Sequence, residues 1–142
     1  MAKRSKFIQA LSGGMAMPTE ISAEVEILAS LNQGLPFEVL AALESRGIVD
    51  HGELLTFIAA RTLARRKSEN RLSPEESDLV ARLLRGFEFA VQVFGNEDKA
   101  KKWLRTESSV LNGQRPLDLL RSDYGARIVE AILGRIDHGI YT

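Results

Sequence analysis

Apolar residues recur at intervals of three and four along most of this chain, which is the spacing of amphipathic α-helices. The longest such run follows Pro74 and continues unbroken for more than four helical turns. Its apolar positions are Leu79, Val80, Leu83, Leu84, Phe87, Ala90, Val91 and Phe94. No segment shows the strict alternation of a half-buried strand, so the pattern predicts an all-α protein.

Start and stop signals predict four helices before this long one. Ser22 is a candidate N-cap for the first helix, which should end before Gly34. Pro36 suits the first position of a second helix, which should stop at Gly47. A third helix should start with a capping-box pair, and a fourth should follow after a short turn. The third helix is predicted from Asp50 to Ile58, and Glu53 should complete its capping box. Its inward-facing residues should be Leu54, Leu55 and Ile58. The fourth helix is predicted from Thr62 to about Glu69.

The second half of the chain carries the clearest signals. Ser73 should cap the long helix with Pro74 at its first position and Glu76 completing a capping box. Gly95 should end this helix, and Asn96 should cap the next one. Pro116 should begin a short helix that ends near Leu120. Ser122 should cap the last helix, and Gly139 should stop it. The apolar stripe of this last helix is Ile128, Val129, Ile132, Leu133 and Ile136.

These signals divide the chain into an arm and two helical domains. Residues 1–19 are predicted to be a flexible arm, because Gly13, Gly14 and Pro18 interrupt any helix there. Its basic residues leave open a second interpretation, in which the arm touches DNA phosphates. An N-terminal domain is predicted over 20–72 and a C-terminal domain over 73–142.

Composition narrows the classes of function. The chain has no cysteine, which excludes disulfides and thiolate metal sites, and its two histidines, His51 and His138, are too far apart in sequence to suggest a metal centre. No apolar run approaches the length of a membrane span, and the N-terminus is too interrupted for a signal peptide, so we expect a cytoplasmic protein. Each acidic pair begins a helix, where the helix dipole explains it. The sequence therefore predicts a protein that is not an enzyme and has no cofactor.

The 19 basic and 19 acidic residues cancel, which leaves room only for a local basic patch. Such a patch occurs at 61–71, with five basic residues and one acid. A helix pair with a basic second helix fits a helix-turn-helix, in which Asp50–Ile58 supports and Thr62–Glu69 reads DNA, with Leu63 as its anchor. Arg61, Arg65, Arg66 and Lys67 should then point outward. The candidate DNA-binding residues are Arg61, Thr62, Arg65, Arg66, Lys67 and Arg71, although a solvated charged face is the alternative interpretation.

The stretch from Phe94 to the C-terminus carries a more specific pattern. It includes Phe94-Gly95-Asn96, Ala100 with Trp103-Leu104, Leu111-x-Gly113-x-x-Pro116-Leu117, Gly125, Val129 and the run from Gly134 to Tyr141. In order and spacing this resembles the toxin-binding domain of the Xre/MbcA/ParS antitoxin family. The segment Thr62–Ser77, which connects the two predicted domains, resembles the helix-turn-helix region of the same family. The resemblance therefore covers roughly residues 36–142. It implies a small C-terminal helical toxin-binding domain behind a helix-turn-helix-like domain.

The resemblance also implies a partner and a mechanism. Family members pair with RES-domain toxins, which consume NAD, and their C-terminal region blocks the NAD-binding cleft of the toxin. By this resemblance the toxin-binding residues are Arg135, His138, Gly139, Ile140, Tyr141 and Thr142. The residues alone leave local packing of this tail open as the alternative.

Three further expectations concern partners. Operator DNA and a cognate RES-domain toxin are expected from the resemblance. A homodimer is expected because the helix from Pro74 to Phe94 carries more apolar surface than one small domain easily covers. The rival functions are a solitary helix-turn-helix transcriptional regulator without a toxin, and a helical adaptor that binds neither DNA nor toxin.

Overall fold

The computed structural model describes Leu11 and residues 20–139, and this part of the chain contains eight α-helices, one 3₁₀ turn and no β-strand. Two isolated β-bridges, Pro36 with Arg71 and Ser108 with Gln114, are the only extended pairings in these residues. The predicted all-α fold is confirmed. Leu11 is buried, while the rest of the predicted arm 1–19 and the tail residues Ile140–Thr142 lie outside the described residues.

The chain folds into two compact units that divide between Ala81 and Arg82. The first unit contains four helices and the start of a fifth. They are α1 (Ile21–Gln33), α2 (Val39–Ser45), α3 (His51–Phe57), α4 (Ala60–Glu69) and the first part of α5 (Pro74–Phe94). The division therefore falls inside α5, nine residues beyond the boundary near residue 72 that the sequence suggested.

A buried apolar cluster holds the first unit together. Its members include Ile27, Leu31, Leu35, Leu40, Leu43, Ile48, Val49, Leu54, Leu63, Leu72 and Val80. Two polar contacts join distant parts of the chain inside it. The backbone N–H of Leu35 donates to Ser77 Oγ at 2.8 Å, and the N–H of Leu72 donates to the Leu35 carbonyl at 2.9 Å. These bonds satisfy backbone groups that burial would otherwise leave unpaired.

Two predicted helix starts are wrong. Pro36 does not begin α2, because its segment is held extended against Arg71 and Leu72, and α2 starts only at Val39. Ser22 does not cap α1 either, since Glu20 is the N-cap and Ser22 lies exposed within the first turn. One inward prediction for α3 also fails, because Leu55 is 38% exposed.

The predicted capping boxes are confirmed. Asp50 Oδ1 accepts from the N–H of Glu53 at 2.7 Å, and Glu53 Oε1 accepts from the N–H of Asp50 at 2.9 Å. At α5 the N–H of Glu76 donates to Ser73 Oγ at 3.1 Å, and the N–H of Ser73 donates to Glu76 Oε1 at 2.8 Å. Each pair satisfies two of the donors that a helix N-terminus leaves without partners.

The second unit contains the rest of α5 and three further helices. They are α6 (Glu97–Arg105), α7 (Pro116–Leu119) and α8 (Asp123–Asp137), with a 3₁₀ turn at Ser109–Leu111 before α7. The predicted caps are confirmed, since Asn96 Oδ1 accepts from the N–H of Lys99 and Ser122 Oγ accepts from the N–H of Gly125. The core residues include Leu83, Leu84, Phe87, Ala90, Ala100, Leu104, Leu111, Leu117, Leu120, Ala126, Val129 and Leu133.

The apolar stripe of α5 is covered by the chain itself. Leu83, Leu84, Phe87 and Ala90 are no more than 1% exposed. Val91 and Phe94, at the end of the stripe, are half-buried. Most of the stripe is thus covered within the chain, and the expected homodimer stays a prediction. The predicted stripe of α8 is buried at Val129 and Leu133, but Ile128 is 36% exposed.

Gly125 allows the backbone of α8 to pass close to the end of α7. A Cβ at this position would overlap the carbonyl oxygen and carbon of Leu119. Arg82 of α5 also binds the turn between α7 and α8, because its Nη1 donates to the carbonyls of Leu120 and Arg121 at 2.9 and 2.8 Å. The start of α8 is thus held in place by the backbone around residues 119–121.

Candidate functional site

Helices α3 and α4 are joined by only two residues. Ile58 and Ala59 are both extended, and Ile58 is buried. On the next helix Leu63 is also buried, as predicted for its anchor. The pair is therefore a tight helix-turn-helix whose second helix begins at Ala60, two residues before the predicted start.

The outward face of α4 has a simple composition. Arg61, Ala64, Arg65 and Ser68 are exposed and lie at spacings of three and four, so they share one face of the helix. Lys67 is exposed at the edge of this face, and Thr62 is half-buried. We call Arg61, Ala64, Arg65 and Ser68 the reading face. It therefore combines two arginines with two small residues.

Two of the predicted DNA-binding arginines have partners inside the first unit. The Arg66 Nε donates to Glu76 Oε1 at 2.7 Å and its Nη1 donates to Glu69 at 3.1 Å, which leaves its side chain 18% exposed. The prediction that Arg66 points outward is therefore wrong. Arg71 donates through Nη1 to the carbonyls of Gln33 and Gly34, at the C-terminal end of α1.

The contact between Arg66 and Glu76 has electrostatic consequences. The Glu76 carboxylate raises the pKa of Arg66 further above its ordinary value. Burial raises the pKa of Glu76, but hydrogen bonds from Ser73 and from Arg66 outweigh it, so that this pKa lies below its ordinary value of 4.5. Both groups are therefore charged at neutral pH, and the pair links α4 to the start of α5.

Ala64 and Ser68 were missed as members of the reading face. They carry no charge, so a search for basic residues passes over them. Helical spacing counted from Arg61 would have found both, because Ala64 and Ser68 follow it by three and seven positions.

The second unit has an open groove of about 440 Å³ between α6, the 3₁₀ turn and α8. Trp103, Ile132 and Ile136 line it and are half-buried, while Val110 and Arg135 line it and are exposed. Leu111 and Pro116 are buried lining residues. We call this feature the α6–α8 groove.

Trp103 packs inside the second unit and also forms part of the groove. Its ring packs against Phe94, with centroids 5.7 Å apart and the planes tilted by 43°. Such offset aromatic pairs hold each other in place. The indole wall of the groove is therefore fixed by the end of α5.

Two further apolar side chains of this unit are exposed on α8. Tyr124 is 77% exposed and Ile128 is 36% exposed. They follow one another by four residues and lie on the same face as Arg135. The helix ends at Asp137, and His138 and Gly139 are exposed at its end. Of the predicted toxin-binding residues, Arg135, His138 and Gly139 are thus on the surface, and Ile140, Tyr141 and Thr142 lie outside the described residues.

The described residues form neither a cluster of metal ligands nor a membrane-spanning helix. No group of three or more histidine, aspartate or glutamate side chains there could hold a metal ion. No described helix is both long and apolar enough to cross a membrane.

The fold and its surfaces define a class of helical protein in which a helix-turn-helix unit precedes a second unit with an apolar groove. Comparison with known families agrees with this division. Residues 26–85 match the Antitoxin Xre-like helix-turn-helix domain, and residues 89–139 match the Antitoxin Xre/MbcA/ParS C-terminal toxin-binding domain.

Three relatives cover most of this chain, and each is named Antitoxin Xre. The one from Yersinia enterocolitica is 32% identical over 82% of this chain and 81% of its own length. The one from Photorhabdus laumondii is 33% identical over 79% and 78%, and the one from Pseudomonas putida is 31% identical over 84% and 76%. The chain belongs to the Xre antitoxin family.

Proposed function

We propose that this chain is the antitoxin of a type II toxin–antitoxin pair, that it neutralises a RES-domain toxin which consumes NAD, and that it represses its own operon. The observation that carries the proposal is the presence of both domains in one chain, with relatives named as antitoxins over most of its length. The protein acts by stoichiometric binding and has no catalytic step of its own.

DNA binding is assigned to α4. Arg61 and Arg65 lie on the reading face with the small residues Ala64 and Ser68, and Lys67 extends the positive charge along its edge. Arginine can pair with phosphates or with the guanine edge through its planar guanidinium. The first turn of α4 contains no acidic residue, so nothing there repels a phosphate. Arg66 and Arg71 support the helix-turn-helix from within and are not proposed as direct contacts.

A homodimer is proposed because of the twofold symmetry of the DNA sites that helix-turn-helix proteins bind. Helix-turn-helix proteins commonly bind two half-sites as twofold dimers. A homodimer would place two copies of α4 on a palindromic operator. Sedimentation at micromolar concentration should show a dimer, and a monomer with full operator affinity would contradict this proposal.

Toxin neutralisation is assigned to the C-terminal end of the second unit. Arg135, His138 and Gly139 are exposed there, directly before Ile140, Tyr141 and Thr142. An aromatic residue such as Tyr141 offers a large contact area at a small cost in side-chain entropy. We propose that this tail enters the NAD-binding cleft of the toxin and excludes NAD from it.

Deletion of Ile140–Thr142 tests this assignment. The truncated chain should lose roughly thirtyfold or more in apparent inhibition, which corresponds to about 2 kcal/mol for an interface anchor. NAD consumption by the toxin encoded beside this chain should be measured with intact and truncated protein at equal concentrations. An electrophoretic mobility-shift assay with promoter DNA serves as the control, because the truncated chain should still bind the operator. Full inhibition by the truncated chain would show that the tail is dispensable.

A further inference from the structure

The α6–α8 groove has the features of a protein-binding surface. Val110 is 66% exposed on a 3₁₀ turn, where a polar residue would cost nothing in folding. The half-buried Trp103, Ile132 and Ile136 line the same groove, together with the polar residues Thr106, Glu107, Ser108 and Ser109. Such surfaces, when rimmed by polar groups, mark sites of association.

The charged rim of the groove indicates what kind of partner fits. Arg135 and Glu107 are the two charged residues that line the groove, and both are exposed. No hydrogen bond or ion pair joins the Arg135 guanidinium to another residue of the part of the chain described, so it can pair with a group of a partner. A guanidinium pairs best with a carboxylate, which it can bind through two parallel hydrogen bonds. The complementary surface therefore combines an apolar side chain with a neighbouring acidic residue.

The groove lies wholly within residues 89–139, which match the toxin-binding domain. It is also continuous with the end of α8, because Arg135 and Ile136 belong to the last turn and a half before Gly139. We infer that the α6–α8 groove is a second anchor for the toxin, which inserts an apolar side chain between Trp103 and Val110 and pairs a carboxylate with Arg135. This inference rests on the proposed toxin binding.

A second anchor has a distinct purpose. Tyr141 alone would be a single anchor, and interface affinity usually depends on a few apolar anchors surrounded by residues that exclude water. The groove supplies such an anchor on a rigid surface, because the Phe94 ring supports Trp103 and the core residue Leu133 holds α8. Binding by the groove and occlusion by the tail are then separate contributions to neutralisation.

The test uses two substitutions with matched controls. Val110→Glu places a charge in the apolar groove, and Val25→Glu places the same charge on an apolar side chain that is 58% exposed on α1. Arg135→Glu reverses the rim charge, and Arg127→Glu reverses an arginine of α8 whose side chain is 75% exposed and pairs with Asp123. All four positions are exposed, so each variant should fold, and promoter binding checks this independently.

The measurement is the Kd for a catalytically inactive form of the adjacent toxin, by calorimetry with the full chain. Val110→Glu should weaken binding by about thirtyfold or more and Arg135→Glu by about tenfold or more. The two control variants should bind as the unmodified chain does. If all four variants bind equally well, the groove is not an anchor, although toxin binding itself still stands. If the unmodified chain does not bind the toxin, the proposed function fails and the inference fails with it.

A further variant separates the toxin from the tail of this chain as the occupant of the groove. In a chain that lacks Ile140–Thr142, Val110→Glu should weaken binding by the same factor as in the full chain. If the substitution has no effect in the truncated chain, the groove holds its own tail, and the inference is overturned.

Discussion

Gly125 occupies a position where two backbone segments leave no room for a side chain. The Cβ of any other residue would overlap the carbonyl of Leu119. The sequence alone cannot identify this constraint, because a glycine in the first turn of a helix is explained only by the segment that packs against it. The structure identifies that neighbour as the C-terminal end of α7.

Gly125→Ala should therefore destabilise the protein by roughly 1–3 kcal/mol, the usual cost of inserting a group into a packed site. Gly134→Ala is the matched control on the same helix, because its Cβ would meet nothing within 4 Å. Removing a helical glycine should leave stability equal or raise it by up to about 1 kcal/mol. Urea unfolding measures both variants, and equal stabilities would show that α8 can move away from Leu119 without cost.

Glu76 has two structural roles at once. A single oxygen, Oε1, accepts from the backbone of Ser73 and from Arg66, so one carboxylate caps α5 and holds α4. Its pKa is lowered on folding, which makes its contribution to stability dependent on pH. That contribution is complete above the ordinary value of 4.5 and is lost as the pH falls through the lower pKa of the folded state.

Glu76→Gln should cost about 1 kcal/mol at pH 7, because the amide oxygen can still accept from Ser73 but the charge that pairs with Arg66 is lost. The difference from the unmodified chain should shrink as the pH falls below 4.5. Glu75→Gln, at the exposed neighbour in the same turn, is the control and should have little effect. The free energy of unfolding in urea at several pH values gives the result, and a difference that stays constant down to pH 3 would contradict the assigned role.

At the scale of elements, α4 presents two faces with different tasks. Arg65 belongs to the reading face, whereas Arg66 is turned toward Glu76 and Glu69. Adjacent residues of identical chemistry should therefore respond differently to the same substitution.

Arg65→Ala should lower operator affinity and reduce the log–log salt slope by about 1, with no change in stability. Arg66→Ala should lower the melting temperature and leave the salt slope unchanged in protein that remains folded. Operator binding at several salt concentrations, together with thermal melting, separates the two effects. If Arg66→Ala lowered operator affinity and the salt slope while Arg65→Ala lowered only the melting temperature, then Arg66 and not the reading face would contact DNA.

Sequence patterns predicted the elements whose signals are local. The caps at Asp50, Ser73, Asn96 and Ser122 depend on groups within three residues, so their spacing was sufficient. Pro36 and Arg66 were interpreted wrongly because their partners, Arg71 and Glu76, lie 35 and ten residues further along the chain. The α6–α8 groove could not be predicted for the same reason, since three separate segments form it.

At the scale of the whole molecule, the two units carry separate candidate surfaces. The reading face belongs to the first unit, and the groove and the end of α8 belong to the second. The surfaces of the second unit decide the proposed function, because binding to a toxin distinguishes an antitoxin from a solitary regulator with a helix-turn-helix.

A titration of the proposed RES-domain toxin with this chain, while NAD consumption is recorded, tests toxin neutralisation directly. Inhibition should be stoichiometric and complete once the antitoxin saturates the toxin. A chain with Arg61→Ala and Arg65→Ala should inhibit equally well, because these residues belong to the reading face. Undiminished NAD consumption at a large excess of the unmodified chain would show that the chain does not neutralise this toxin.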